Sequence, residues 1–124
     1  MKQILLSFFF FLLFAGTTMS QDKQAAELPV GKYETILKSN QVKWEKGDII
    51  LLDEHQYKIS TSNEIGEYRF SVTAQRVFFT SGPLKTVFAK TTINNNNTAI
   101  VLPVSENLQA GLKLNSDIWG YFKH

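Results

Sequence analysis

Few residues in this chain are equipped for chemistry. Its 124 residues include two histidines and no cysteine, so thiol nucleophiles, thiolate metal sites and disulfides are excluded by composition. A hydrolytic triad would have to use His55, because His124 closes the sequence. His55 follows Asp53 and Glu54, and three consecutive polar residues between apolar runs make a solvated turn more readily than a triad. A zinc site needs three or four converging ligands, here necessarily histidine with carboxylates, and no spacing singles out a set. The 11 carboxylates are scattered over turns and wet strand faces, so no pair stands out for glycoside hydrolysis. No glycine-rich phosphate loop precedes a helix. The sequence points to no catalytic residue, no metal and no cofactor.

What it does offer is aromatic. Strict alternation places Val77 and Phe79 on one face of a strand and Phe78 on the other, beside Arg76 and Thr80. Phe88 likewise opposes Val87 and Ala89, while Trp119 and Tyr121 oppose Ile118 and Phe122. If the first set fills the core, then Phe78, Phe88, Trp119 and Tyr121 form a second apolar set. Such a set lines a barrel cavity, stacks on sugar rings, or makes a second core layer beneath residues 103–116. The expected function is therefore non-catalytic binding of a small or apolar ligand or a sugar. The alternative is a protein–protein interaction module, such as an inhibitor or envelope subunit. An apolar ligand requires an enclosed cavity, whereas a protein partner requires an exposed apolar patch or an unpaired edge strand.

The elements that position these residues read as short strands. Glycine, asparagine, aspartate and proline punctuate β-branched and aromatic runs at 31–38, 48–52, 56–60, 66–72, 75–80, 85–93, 98–102 and 117–123. The clearest is 66–72, where Tyr68, Phe70 and Val72 alternate with Glu67, Arg69 and Ser71. With a turn at 73–75 it forms a hairpin whose core face is Tyr68, Phe70, Val72, Val77 and Phe79. Residues 94–97 are asparagines suited to a left-handed turn. The unbroken aliphatic run Ile49, Ile50, Leu51, Leu52 predicts a strand covered on both faces. The fold class is all-β: a small antiparallel barrel or a two-layer sandwich of about eight short strands.

A shift of 35 residues aligns Gly31, Tyr33, Leu37, Val42, Trp44 and Gly47 with Gly66, Tyr68, Val72, Val77, Phe79 and Gly82. This is the pattern of a repeated hairpin bounded by turn glycines, although two unrelated hairpins of similar length would align as well. Gly82 and Pro83 read as an architectural turn, one supplying open dihedrals and the other ending a ladder.

Gly66-Glu67-Tyr68 followed by Arg76-Val77-Phe78-Phe79-Thr80-Ser81-Gly82-Pro83-Leu84 and Ala89 resembles a motif of small, exported bacterial β-domain proteins without an assigned activity. Cysteines often flank the domain in that group and are absent here. The resemblance implies a fold and no mechanism. Gly31-x-Tyr33 also resembles the Gly-x-Trp opening of lipocalin-type barrels, with tyrosine in place of tryptophan.

Residues 1–20 have the three parts of a signal peptide: Lys2, an apolar run at 4–15, and a small-residue exit at 16–20. Cleavage is expected after Ser20, or alternatively after Thr17. The run is shorter than the roughly 20 residues that cross a bilayer, so no permanent membrane anchor is expected. The product is an exported protein, periplasmic or extracellular. Residues 21–28 are a polar, frayed leader, and 29–124 form one domain. Loss of Lys2 lowers the formal net charge from +2 to +1, which gives no reason to expect nucleic acid as a partner.

Overall fold

The computed structural model describes residues 24–124; the expected signal segment lies outside them. Eight strands run as an antiparallel meander closed into a barrel. They are β1 (Gly31–Leu37), β2 (Ile49–Leu51), β3 (Gln56–Ile59), β4 (Gly66–Ser71), β5 (Arg76–Phe79), β6 (Phe88–Asn94), β7 (Asn97–Leu102) and β8 (Ile118–Phe122). One short helix, α1 (Val104–Gln109), interrupts the crossing from β7 to β8. Closure is made by β1 against β8, with Tyr33 opposite Phe122 and Leu37 opposite Ile118. Of the two expected architectures the barrel is the one formed, and closure removes the open sheet edge.

Turn chemistry explains the tight connections. Asn95 and Asn96 take φ of 54° and 64°, the left-handed pair that suits strand twist in a two-residue hairpin. Every strand sends alternate side chains inward, including Tyr33, Ile49, Tyr57, Tyr68, Val77, Ala89, Ile100 and Ile118. At eight strands such side chains are just large enough to fill the interior. Gly66 and Gly82 meet backbone to backbone: a Cβ on Gly82 would lie 2.5 Å from the Gly66 Cα. That contact packs the backbone of Gly66 directly against the Ser81-Gly82-Pro83 loop.

Several expectations are corrected. Val72 belongs to the β4–β5 turn rather than the core, being 48% exposed, because the strand ends at Ser71. The run at 49–52 is covered on one side only. Ile49 and Leu51 are buried in the lumen, while Leu52 is 40% exposed. In a closed barrel one strand face is the core and the other is the outside. Of the frayed leader, the described part is docked: Ala25 is buried, its N–H donates to Gln75 Oε1 at 2.9 Å, and its carbonyl accepts from Gln75 Nε2 at 2.9 Å. The two aligned hairpins also differ. Val77 faces the lumen, but its counterpart Val42 is exposed in the β1–β2 loop.

Candidate functional site

The outer wall across β5 to β8 carries all four aromatics of the second set. Phe78 stands opposite Phe88, and Arg76 opposite Lys90. Lys90 in turn faces Val101, and Val101 faces Trp119. Arg76, Lys90, Val101 and Trp119 thus form one row across four strands, spanning about 14 Å at the usual strand spacing. The aromatics are paired, each pair with a cation. The Arg76 guanidinium lies 4.4 Å from the Phe78 ring centroid and 3.9 Å from that of Phe88. Trp119 and Tyr121 stack with centroids 5.8 Å apart and planes at 29°, and Lys38 Nζ lies 4.5 Å from the indole. None of the four faces the lumen, so the cavity-lining use is set aside. As a second core layer the set is only partly covered, Phe78 being 38% exposed and the other three half-buried.

An open cleft of about 330 Å³ lies beside the Lys90, Val101 and Trp119 part of the row, at the docked leader. Gln24, Gln75, Lys90, Thr92, Val101 and Trp119 line it. Gln75 is already committed, holding Ala25 at both ends and accepting from the Thr91 hydroxyl at 3.0 Å. Phe88, at the start of β6, is fixed by the buried Asn107 of α1. Its N–H donates to Asn107 Oδ1 at 2.7 Å, and its carbonyl accepts from Asn107 Nδ2 at 3.0 Å. The side-chain amide stands in for a missing strand neighbour. Among the described residues, two buried side-chain nitrogens lack a hydrogen-bond partner, Arg76 Nε and Trp119 Nε1. Native folds leave few such donors, and both belong to this wall.

The lumen is arranged differently. Tyr33 donates its hydroxyl hydrogen to the Pro29 carbonyl at 2.6 Å, and Tyr68 donates to Asp53 at 2.7 Å. Tyr57 donates to Ser81 at 2.8 Å and accepts from the Leu84 N–H at 2.7 Å. Burial pushes Tyr57 and Tyr68 up to about 12 and raises Tyr33 as well, so all three stay protonated donors at neutral pH. The Gly-x-Tyr elements at Gly31-Tyr33 and Gly66-Tyr68 therefore place tethering tyrosines. Ser81, Gly82, Pro83 and Leu84 form the loop that Tyr57 holds.

His55 sits where the sequence puts it, in a turn. Asp53 Oδ1 accepts from the N–H groups of His55 and Gln56, each at 2.8 Å. These bonds hold its carboxyl below the usual range. Among the described residues no three histidine, aspartate or glutamate side chains converge as a metal site would require. Two residues escaped sequence reasoning. Asn107 and the buried Asp48, which accepts from Thr35 N–H at 3.1 Å, both act on partners distant in the chain, whereas alternation speaks only within a strand.

No family model, curated protein or solved structure matches the chain. Among the described residues no helix is long and apolar enough to cross a membrane.

Proposed function

We propose that this is an exported binding protein of the small bacterial β-domain kind, and that it takes a sugar chain on the outer wall of β5 to β8. The observation that supports this most is the open cleft beside Trp119. The part of the indole that borders the cleft gives apolar surface for the C–H groups of a pyranose, while hydroxyls at its rim need polar groups such as Gln24, Lys90 and Thr92. An apolar ligand in the barrel is disfavoured, because eight strands of inward side chains already occupy the lumen. The strands are three to seven residues long, below the about 9–11 that cross a bilayer.

Electrophoresis through gels containing soluble polysaccharides tests the reading. Retardation that is lost in Trp119→Ala, with the urea midpoint preserved, supports it. Retardation by no polysaccharide overturns it. A protein partner is the second reading, favoured by Val30, Leu52 and Ile65, which are 45%, 40% and 54% exposed. They lie on the opposite wall, where Val30 follows into β1 and Ile65 into β4.

A further inference from the structure

We infer that the sugar chain is anionic, a polysaccharide bearing carboxylates at intervals along its length; this rests on the sugar-binding reading above. The inference comes from two cations that the fold sets against each other with no carboxylate in ion-pair contact. Arg76 and Lys90 stand directly opposite each other on the outer face of β5 and β6, and like charges in that relation destabilise a sheet. Among the described residues three other cations of the barrel are matched, whereas Lys46, Lys58, Arg69, Lys85 and Lys113 are not. What distinguishes Arg76 and Lys90 is that two unmatched cations oppose each other across a strand pair. Lys32 and Lys43 reach the buried Asp48 at 3.8 and 3.5 Å, and Lys123 reaches Glu34 at 3.7 Å. Among the described residues no carboxylate lies within ion-pair distance of Arg76, Lys90 or Lys38. Glu106 senses Lys90, but its carboxylate is held by the Ser105 hydroxyl at 2.7 Å.

Placement supports the same ligand. The Arg76 guanidinium is already oriented between two rings, so less side-chain freedom is lost when it meets an anion. Lys90 and Trp119 both line the cleft and stand two strands apart, about 10 Å at the usual spacing. A sugar ring in the cleft against the indole edge sets a neighbouring carboxylate near the ammonium, and Lys38, over one face of Trp119, adds positive charge beside it. Neutral aromatic platforms elsewhere in proteins need no such flanking charge.

Titration calorimetry of the purified protein with polygalacturonate, dextran and polyglutamate decides the matter. Expected are binding to polygalacturonate that weakens at least about tenfold between low salt and roughly 0.5 M salt, and little binding to the other two. Lys90→Gln should lose about tenfold in affinity, Lys90→Arg should restore most of it, and Trp119→Ala should abolish it. Lys90 is exposed, so circular dichroism of its variants will report an unaltered fold. Equal binding of dextran and polygalacturonate, indifferent to Lys90→Gln, overturns the anionic ligand and leaves the sugar site standing. Equal binding of polyglutamate, indifferent to Trp119→Ala, overturns the sugar site itself. Binding to none of the three overturns the inference, and retardation by other neutral polysaccharides then separates its failure from that of the parent reading.

Discussion

Lumen and outer wall are made from the same strands and the same kinds of side chain, yet they treat polar atoms in opposite ways. Inside, Tyr33, Tyr57 and Tyr68 are fully buried and each hydroxyl bonds a backbone carbonyl. Outside, Arg76 Nε and Trp119 Nε1 have no partner, and the charges of Arg76 and Lys90 oppose each other. A region built for stability meets its polar atoms and fills its volume. A region that does neither, within a fold capable of both, is available for something else. Neighbouring positions such as Phe78 and Phe79 therefore carry different duties although one peptide bond joins them.

The sharpest break between the two regions is by truncation. Phe79→Ala should cost about 3–5 kcal/mol by leaving a cavity in the lumen, whereas Phe78→Ala should cost about 1 kcal/mol or less. Urea unfolding of the pair measures both, and comparable losses would erase the distinction. Next is overpacking. A Cβ on Gly66 would come within 2.7 Å of the Gly82 Cα and closer still to the Ser81 carbonyl. Because backbone cannot yield, Gly66→Ala should cost near the top of the about 1–3 kcal/mol range. Gly111 has open space around it but a φ of +94°, so Gly111→Ala should cost only about 1 kcal/mol of strain.

Alkali acts on the lumen tyrosines. Folding raises Tyr57 and Tyr68 from 10.0 to about 12, mainly through desolvation, so the unfolded chain loses its phenolic protons first. The stability they contribute is complete below pH 10 and is lost as pH climbs toward 12. Urea midpoints measured at about pH 8 and about pH 11 should fall together with late-appearing tyrosinate absorbance. A barrel equally stable at both would contradict this. The smallest effect belongs to Gln75→Ala, which releases the leader from the cleft rim. It should cost about 1 kcal/mol and speed amide exchange at Ala25 without disturbing β4 and β5.

Much of the fold was legible because alternation is a local signal. Tyr68, Phe70, Val77 and Phe79 were assigned to the core face by counting in twos, and the same count put Phe78, Phe88, Trp119 and Tyr121 on the other. A barrel was one of the two architectures expected and is the one formed; the choice over a sandwich was not legible, and the aliphatic run at 49–52 was expected to be covered on both faces, when one side of a barrel strand is open. Val72 misled because its residue type suits a strand and only the turn geometry ends β4 at Ser71. Within the site, Arg76 was visible beside Phe78. Its opposition to Lys90 depends on the register across residues 80–87, which composition does not specify. The hold of Asn107 on Phe88 and of Gln75 on Ala25 are long-range contacts with no periodic trace.

The chain has two tryptophans, one for each region. Trp44 is buried with the core at the barrel end, and Trp119 stands on the outer wall. Their indole N–H resonances, followed in one amide spectrum as polygalacturonate is added, test the division directly. The expected result is a saturable shift of the Trp119 signal with the Trp44 signal unmoved. A shift of Trp44 while Trp119 stays in place would contradict the assignment of binding to the wall and of stability to the lumen.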